Sequence, residues 1–467
     1  MKIAGIIAEY NPFHNGHAYQ IKTLRQETGA DYVIAVISGD FIQRGEPATM
    51  DKYARARMAL INGVDLVIEL PVLFSCASAE YFAAAGVALL TGLGCVDMLC
   101  FGAETDCLAR LTKIAELFTA QPEGFRTALR AGLKRGLSFP QARAAALADY
   151  CFKQAARLPG ISRSELEELL ASPNNILAIE YLKAIKQLSS PLAPYVIKRQ
   201  GGAYHDSDIN QTYASASAIR RLLLASSPGL PSPTAHAAQN GGLSDLTPDM
   251  ALCGAMPANV LSLLTEYASE NPLLKADDFS RPLGYRLLAG DDLTRYADCA
   301  PELVSRVQKN LFSYQSFTDF CSLCKSRDIT YSRVSRALLH VLLGHTEADY
   351  RRYKAIGYAP YARILGLRRE NFDETKKSGT STATLLHTIK KSASLPLISK
   401  LADAPKLLSP LAMQLLEKDI FAAHLYEQTK YMRSAENAGP KQHCRTKYAK
   451  EPGRRCHSEY TGEIVVV

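Results

Sequence analysis

The chain has 467 residues, of which 47% are hydrophobic and 21% are charged. This composition is typical of folded proteins and excludes both a fibrous protein and a chain that is disordered throughout. The length predicts two or three domains. Lys and Arg outnumber Asp and Glu by 54 to 46, and the formal charge of +8 favours a polyanionic partner.

The N-terminal segment and the spacing of the cysteines bear on where in the cell the protein is expected. MKIAGIIAEYNP lacks the long apolar region and the cleavage site of a secretory signal. No apolar run reaches the roughly 20 residues that span a bilayer. The 11 cysteines have no regular spacing, and the C-x-x-C pair of Cys321 and Cys324 has no second pair at zinc-finger spacing. We therefore expect a cytoplasmic protein that does not bind a membrane and holds no structural metal.

Short apolar runs bounded by turn residues predict buried parallel strands at residues 2–8, 32–38, 64–70, 96–102 and 195–199. Segments with helical periodicity lie between the runs, as expected of a three-layer α/β domain. Residues 106–190 are rich in Ala, Leu, Glu and Lys and lack strand patterns. They predict helices inserted between the fourth and fifth strands.

The composition changes after the last of these strands. Residues 226–247 are rich in Pro, Gly and Ser and predict a linker or flexible loop that closes a first domain of residues 1–225. Residues 248–432 show mostly helical periodicity and predict a second, helical domain. Residues 433–467 are basic and poor in apolar periodicity until their end, which predicts a flexible tail.

The motif HNGH, residues 14–17, follows the first predicted strand and begins a predicted helix. Free backbone N–H groups and the helix dipole favour an anion at such a position. His14 and His17 add side-chain donors for phosphate oxygens, and Gly16 allows a ligand to approach the backbone. In an alternative interpretation one histidine caps the loop and the other packs in the core. The strand–loop–helix context favours the phosphate site.

The longer string IAEYNPFHNGH resembles the H-x-G-H signature of nucleotidyltransferases and, more closely, the bacterial tRNA(Met) cytidine acetate ligase family. The similarity extends over most of the chain, through GDFIQRGEPA (39–48), DLVIELP (65–71), LCFGAE (99–104), SPNNILAIEYLKA (172–184), IKRQGGAYHD (197–206) and SASAIR (215–220). The resemblance implies a Rossmann-like α/β nucleotidyltransferase domain with a parallel sheet and a helical insertion, followed by a mostly helical domain.

The resemblance also implies an activity. Such an enzyme activates acetate with ATP to acetyl-adenylate, and then acetylates N4 of the wobble cytidine of elongator tRNA(Met). Acetate needs AMP as a leaving group because the cytosine amine is a weak nucleophile. We expect Mg²⁺ to accompany ATP, with no ligand identified for it, and no protein partner. Two other hypotheses stay open: a small-molecule nucleotidyltransferase, and a non-enzymatic RNA-binding protein with a nucleotide pocket.

The resemblance assigns catalysis to His14 and His17, which would stabilise charge on the phosphoryl oxygens. It assigns ATP contacts to Ile7, Ala8, Glu9, Tyr10, Asn11, Pro12, Phe13, His14, Asn15, Gly16, His17, Ala18, Tyr19, Gln20, Gly102, Asn175 and Arg199. Local alternatives are a turn glycine for Gly102, helix capping for Asn175 and a surface salt bridge for Arg199. The segment SASAIR resembles a phosphate-binding element of cytidylyltransferases and suggests phosphate contacts from Ser215, Ser217 and Arg220, with N-capping by a serine as the alternative.

Other polar segments are candidates for ligand or tRNA contacts. Asp40, Gln43 and Arg44 follow the second strand, where open sheets bind ligands, unless they form a solvated loop. Basic residues that face either tRNA or solvent are Lys52, Arg55 and Arg57. Arginines and lysines near tyrosines suit an anticodon loop, and such residues occur at 350–354, 367–372, 376–377 and 390–391 and in the basic tail.

Overall fold

The computed structural model describes residues 1–153, 161–200, 213–225, 248–369, 382–437, 459–460 and 462–467. Its strands are β1 (Ile3–Ala8), β2 (Tyr32–Ser38), β3 (Phe41–Ile42), β4 (Glu46–Pro47), β5 (Leu66–Leu70), β6 (Met98–Ala103), β7 (Ala193–Lys198), β8 (Ala362–Leu367), β9 (Leu397–Ile398) and β10 (Val465–Val466). Within the described residues one mixed sheet has the order β10-β8-β5-β2-β1-β6-β7, with β9 paired to β8. Strands β3 and β4 form a separate hairpin.

The helices of the N-terminal half are α1 (Asn15–Thr28), α2 (Lys52–Ile61), α3 (Val72–Ser75), α4 (Ala79–Gly92), α5 (Leu108–Ala120), α6 (Glu123–Lys134), α7 (Phe139–Lys153), α8 (Arg163–Ala171), α9 (Pro173–Gln187) and α10 (Ala216–Ala225). Helices α5 to α9 lie between β6 and β7, which confirms the predicted helical insertion. The later helices are α11 (Pro248–Ala255), α12 (Ala258–Glu270), α13 (Ser280–Leu288), α14 (Pro301–Asn310), α15 (Phe317–Cys324), α16 (Tyr331–Leu343), α17 (Glu347–Ala355), α18 (Thr382–Ser392), α19 (Ala404–Leu407) and α20 (Pro410–Asn437).

Strands β5, β2, β1, β6 and β7 run parallel and correspond to the apolar runs of the sequence, so the predicted α/β class is confirmed. From β1 the sheet continues through β2 and β5 on one side and through β6 and β7 on the other. This reversal of strand order opens a crevice beside β1 at the carboxyl ends of the strands. Open α/β sheets bind their ligands at such a crevice.

Both faces of the parallel strands β1, β2, β5 and β6 are buried, which explains their continuous apolar sequences, whereas the edge strand β7 is mostly half-buried or exposed. Successive side chains of a strand point to opposite faces. Ile34 and Val36 of β2 therefore pack in a core with side chains of α4 and α9, while Val33 and Ala35 pack in a second core with α1 and α2. A third core lies among α13 to α16 and includes side chains from β3 and α20.

The region from residue 248 is mostly helical, as its sequence predicts, but it also supplies β8 to the sheet. Strand β8 pairs antiparallel with β5, and β9 pairs parallel with β8. The pattern does not reveal β8 because its run, ARILGL, is short and lies among helical segments. The proposed domain boundaries stay predictions, and the predicted linker 226–247 lies outside the described residues.

The described end of the C-terminal tail packs against the sheet, which differs from the flexible segment that its composition predicts. Strand β10 pairs with β8. Glu459 is 6% exposed, and its carboxylate lies 3.1 Å from Nζ of Lys52 and contacts the guanidinium of Arg363. Burial opposes ionisation of Glu459, but these two cations outweigh burial and hold its pKa at about 2. We call Asp40, Lys52, Glu69, Arg363 and Glu459 the buried ion cluster.

Among the described helices, none combines the length and the apolar character that crossing a membrane requires.

Candidate active site

The histidines of the HNGH motif line a pocket at the start of α1 and at the carboxyl ends of β6 and β7. The lining residues are His14, Gly16, His17, Tyr19, Gln20, Gly102, Ile197, Lys198, Arg199, Gln200, Tyr213 and Ala214. None of these described residues is acidic, whereas Lys198 and Arg199 are cationic. The fold thus brings His14, His17, Gly102 and Arg199 together, as their predicted roles require, in a lining that favours an anion.

His14 is the N-cap of α1, and its ring organises the first turn. Its backbone is extended, with φ −143° and ψ 174°, and its Nδ1 accepts a hydrogen bond from the N–H of Gly16 at 3.1 Å. In return, the N–H of His14 donates to Nδ1 of His17 at 3.2 Å. This arrangement is a capping box built from two histidines. Both histidines thus cap the helix through Nδ1, whereas the alternative interpretation gave this role to one of them. The capping contacts leave Nε2 of each ring for another role.

The capping contacts determine which nitrogen carries the proton. One nitrogen of a neutral imidazole accepts a hydrogen bond and the other donates one. Because Nδ1 of His14 and Nδ1 of His17 both accept from backbone N–H groups, each ring carries its hydrogen on Nε2. The two rings stack with centroids 3.8 Å apart and planes 25° apart. The motif therefore presents two N–H donors on adjacent rings.

Both imidazoles are neutral at physiological pH. Burial, followed by the charges of Arg199 and Arg220, lowers the pKa of His14 to about 3. Burial, followed by His14 and Arg199, also holds the pKa of His17 well below its usual range. The histidines therefore donate hydrogen bonds as neutral groups, while the nearby guanidinium groups supply the positive charge.

Buried donors hold the loop that precedes the motif. Arg55 is fully buried and donates to the carbonyl oxygens of Glu9 at 2.7 Å and Ser38 at 3.0 Å, where β1 and β2 end. Thr49 donates to Oδ1 of Asn11 from its N–H at 2.9 Å and from its hydroxyl at 2.8 Å. The loop between β1 and α1 is thus fixed by contacts within the protein.

Several predicted ATP contacts lie behind the pocket lining. Tyr10 and Phe13 pack against the ring of His17, with centroids 4.8 and 5.4 Å from it. Asn15 donates from Nδ2 to the carbonyl oxygen of Gly254 at 2.8 Å. Further predicted contacts outside the lining are Ile7, Ala8, Glu9, Asn11, Pro12 and Ala18. Their contact with ATP stays a prediction, and their observed contacts support the histidine turn.

Gly102 and Arg199 lie against each other at the ends of β6 and β7. A Cβ atom on Gly102 would lie 3.3 Å from Cγ of Arg199, closer than the usual carbon–carbon contact of about 3.5–4 Å. The N–H of Arg199 donates to the carbonyl oxygen of Ala103 at 2.9 Å. Glycine at position 102 therefore leaves space for the arginine, which remains cationic although burial lowers its pKa.

Asn175 lies near the start of α9 and holds the loop that follows β6. Its Oδ1 accepts hydrogen bonds from the N–H groups of Glu104 at 2.9 Å and Thr105 at 3.3 Å. Its own N–H donates to the carboxylate of Glu104 at 3.0 Å. Asn175 is 2% exposed and does not line the pocket. Its observed contacts position the end of β6, while its predicted contact with ATP stays a prediction.

The SASAIR segment begins α10, and its serines bind within the protein. Oγ of Ser215 accepts from the N–H of Ala218 at 3.2 Å, which is the N-cap contact of the alternative interpretation. Arg220 donates to Oγ of Ser217 at 3.3 Å and to the carbonyl oxygen of Asn11 at 2.8 Å. Arg220 thus links α10 to the loop before HNGH. The phosphate contacts proposed for these residues stay predictions.

The loop after β2 is not the solvated loop of the alternative interpretation. Asp40 is buried, and burial raises its pKa to about 7. The N–H of Gln43 donates to the carboxylate of Glu9 at 3.0 Å, which ties the loop to the end of β1. Arg44 is partly buried, and burial followed by the charge of Arg220 lowers its pKa. The segment therefore supports the site from the side of β2.

The basic residues of α2 differ in burial. Lys52 belongs to the buried ion cluster and Arg55 is fully buried, so the prediction that they face tRNA or solvent is wrong. Burial of a charged side chain costs free energy unless charged partners or carbonyl oxygens contact it. The sequence pattern of α2 alone does not reveal those partners. Arg57 is exposed, as predicted.

The residues predicted to contact RNA include both buried and exposed side chains. Tyr350 and Tyr353 are buried, so they are not available to stack on bases. The basic residues between and beside them are exposed, as are those on α18: Arg351, Arg352, Lys354, Lys390 and Lys391. Residues 370–381 and 438–458 lie outside the described residues.

Lys198, Gln200 and Tyr213 line the pocket but were not singled out by sequence reasoning. Gln200 donates to the hydroxyl of Tyr19 at 3.3 Å, and the rings of Tyr19 and Tyr213 lie 5.8 Å apart. Lys198 and Gln200 flank Arg199, so their position at the end of β7 could have indicated that they line the same pocket. Tyr213 precedes SASAIR, but no local pattern distinguishes it from the other tyrosines.

The strand order, the histidine capping box and the pocket define a nucleotidyltransferase of the H-x-G-H class. In agreement, residues 1–441 match the model of a family described as HIGH Nucleotidyl Transferase. Two relatives carry the name tRNA(Met) cytidine acetate ligase. The protein of Clostridium kluyveri is 36% identical over 86% of this chain and 90% of its own. The protein of Thermoanaerobacter sp. strain X514 is 37% identical over 91% of this chain and 95% of its own.

Solved structures of Thermotoga maritima TmcAL resemble the whole chain. The apo form superposes with a TM-score of 0.83 at 26% identity and covers all of both chains. A form bound with alpha-thio ATP gives a TM-score of 0.81 at 26% identity, with 100% of this chain and 99% of that chain covered. The chain therefore belongs to the tRNA(Met) cytidine acetate ligase family of HIGH nucleotidyltransferases.

Proposed function

We propose that this chain is an ATP-dependent ligase that forms acetyl-adenylate and then acetylates N4 of the wobble cytidine of elongator tRNA(Met). The observation that carries the proposal is the pair of stacked neutral imidazoles beside Arg199 in a pocket whose described lining has no acidic residue. The named activity of the relatives and the nucleotide analogue bound to the similar Thermotoga maritima protein support it.

The first step joins acetate to the α-phosphorus of ATP. An acetate oxygen forms the new P–O bond while the bond from the α-phosphorus to the leaving pyrophosphate breaks. Negative charge increases on the phosphoryl oxygens during this exchange, and preorganised N–H donors stabilise it. We assign this role to Nε2–H of His14 and of His17, with the guanidinium of Arg199 as the charged partner. The histidines exchange no proton in this step.

The second step transfers the acetyl group to RNA. The N4 amine of cytidine attacks the acyl carbon, the bond to the phosphate oxygen breaks, and AMP leaves while the amine loses one proton. The positive end of α1 and Arg199 remain beside the phosphate and stabilise AMP as the leaving group. Exposed arginines and lysines on α17 and α18 are our candidates for binding tRNA in the cytoplasm.

A magnesium ion is expected to accompany ATP. Carboxylate oxygens are its usual protein ligands, and none of the described residues that line the pocket is Asp or Glu. The carboxylate of Glu104, next to the pocket, already accepts hydrogen bonds from Asn174 and Asn175. The described lining does not fit a magnesium ion held by the protein, so we assign no step to it.

Acetate-dependent exchange of labelled pyrophosphate into ATP tests the first step. We expect exchange with the wild type and none with His14→Ala or His17→Ala, while His387→Ala, which changes an exposed histidine on α18, keeps the wild-type rate. Circular dichroism establishes that the variants fold. Exchange at the wild-type rate in both site variants would contradict the proposed active site. Exchange with a different acid but not with acetate would show that acetate is not the substrate.

Mass spectrometry tests the second step. Elongator tRNA(Met) incubated with the protein, ATP and acetate should gain N4-acetylcytidine at the wobble position. If the tRNA stays unmodified under conditions in which pyrophosphate exchange proceeds, the proposed acetylation of tRNA is refuted. The proposed activation of acetate is not affected by that result.

A further inference from the structure

Three side chains that can ligate metals meet in the protein core, outside the active-site pocket. Cys76 follows α3, His340 lies on α16, and His345 follows that helix; each is at most 1% exposed. Each offers one ligand atom, and these atoms all lie within 4.8 Å of one another. Cys76 and His345 are 269 residues apart in the chain. No local spacing in the sequence therefore indicates this group.

Hydrogen bonds satisfy the three side chains only in part. Nε2 of His340 lies 3.1 Å from the carbonyl oxygen of Cys76. Within the described residues, Nδ1 of His340 and Nε2 of His345 have no hydrogen-bond partner. A buried polar atom without a partner costs about 1–3 kcal/mol, and an ion bound to Nδ1 of His340 would remove that cost for one of these two atoms.

The contact of His340 is the one that metal-binding histidines usually make. Such a histidine donates one ring N–H to a backbone carbonyl and offers the other nitrogen to the metal. Donation from Nε2 of His340 to the Cys76 carbonyl leaves the lone pair on Nδ1 as its ligand. A lone pair on Nδ1 of His345, the nitrogen that faces Cys76, is the matching ligand on the second ring.

The distance between sulfur and nitrogen agrees with a common metal. Sγ of Cys76 lies 3.7 Å from Nδ1 of His345. Tetrahedral bonds of about 2.3 Å from zinc to sulfur and about 2.0 Å from zinc to nitrogen place these atoms about 3.5 Å apart. The ligand atoms of the whole group lie within 4.8 Å of one another, so a ligand has to move by no more than about 1.3 Å to complete the site.

We propose that Cys76, His340 and His345 bind a thiophilic metal ion, Zn²⁺ or Cu⁺, in a structural site that is distinct from the proposed active site. Thiolate and imidazole ligands favour these ions. On binding, the thiol of Cys76 loses its proton and gives up its contact with the carbonyl oxygen of Val72, now 2.9 Å away. The ion joins the segment after β5 to the helical region.

The metal content of the full-length protein tests the proposal. Because the site is sealed, the ion has to enter during folding, so the protein is expressed in zinc-supplemented and copper-supplemented media and then dialysed against a chelator. Mass spectrometry of the metals should find about one ion per chain in the wild type. The content should fall to background in Cys76→Ser and stay unchanged in Cys321→Ser, a control that alters another fully buried free thiol.

A measurement on the wild type alone covers the case in which Cys76→Ser does not fold. Protein expressed with cobalt should show a near-ultraviolet thiolate-to-cobalt charge-transfer band. Background metal content in both media together with no such band would overturn the proposal, as would a folded Cys76→Ser protein with wild-type metal content. The medium in which the ion is retained tells Zn²⁺ from Cu⁺. The pyrophosphate-exchange assay tests the proposed active site separately, so its result does not depend on whether the metal is found.

Discussion

Replacing Gly16 with alanine should separate the stability of the protein from its activity. A Cβ atom at this position would lie 2.9 Å from Cε1 of His14 and 3.1 Å from Nδ1 of that ring. Carbon atoms in contact are about 3.5 Å apart or more, so the His14 ring must move by about 0.6 Å. The move disturbs the hydrogen bond from Gly16 to Nδ1, at 3.1 Å, and the stack on His17.

The magnitude of the loss follows from the role of His14. Removing one preorganised donor from a developing charge costs about 10²–10³-fold in rate, and a displacement of about 1 Å can cost about 10²-fold. We therefore expect Gly16→Ala to lower acetate-dependent pyrophosphate exchange by about 10²-fold. Because Gly16 lies in the first turn of α1, alanine gains up to about 1 kcal/mol of helix propensity, while the disturbed cap costs about 0.5–2 kcal/mol, so the free energy of unfolding should change by only about 1 kcal/mol.

A second glycine in a helix provides the matched control. Gly254 on α11 has open space where a Cβ atom would lie. Gly254→Ala should therefore change the helix propensity in the same way without touching the histidine. Exchange assays and urea unfolding of both variants check the prediction. Wild-type exchange by Gly16→Ala would refute the claim that the position of the His14 ring governs catalysis.

The other predictions concern protonation and packing. Since the pKa of His14 is about 3 in the folded chain and about 6.5 in the unfolded chain, the unfolded state binds more protons between these values, and stability falls as the pH drops below 6.5. Lowering the pH from 7.5 to 5.5 should cost the wild type about 1.4 kcal/mol more than His14→Gln in urea unfolding; equal losses would contradict this. Gly102→Ala should press on Arg199, which stabilises the developing charge in the proposed reaction, and so lower kcat/KM for ATP several-fold; an unchanged kcat/KM would argue against a phosphate contact. Glu459→Gln should lower the free energy of unfolding by about 3–5 kcal/mol, because two buried cations lose a shared carboxylate; an unchanged urea midpoint would show that the other acids of the cluster suffice.

The parts of the fold that the sequence predicts are those with a local cause. The parallel strands β1, β2, β5 and β6 are continuous apolar runs because both of their faces are buried, and HNGH is recognisable because the whole turn is contiguous. His14 and Gly16 could therefore be placed in their structural context from the sequence. The ring tautomers could not, since they depend on backbone N–H groups whose direction only the folded turn sets.

The missed features depend on contacts between distant segments. Arg220 reaches the carbonyl oxygen of Asn11 from 209 residues away, and Lys52 contacts the carboxylate of Glu459 near the end of the C-terminal tail. A pattern within one helix assigns a lysine or an arginine to the solvent side, because burial of such groups is rare without a partner. The partner, and therefore the burial of Lys52 and Arg55, appears only when the chain is folded.

The antiparallel strand β8 makes the two halves of the chain dependent on each other. It covers the edge of β5, whose residues Leu66–Leu70 are all buried. A fragment that ends near residue 225 would present this apolar edge with unpaired N–H and C=O groups, which is a template for aggregation. During synthesis the N-terminal half stays in this state until residues 362–367 have left the ribosome. We therefore expect the isolated N-terminal half to aggregate more readily than the full chain.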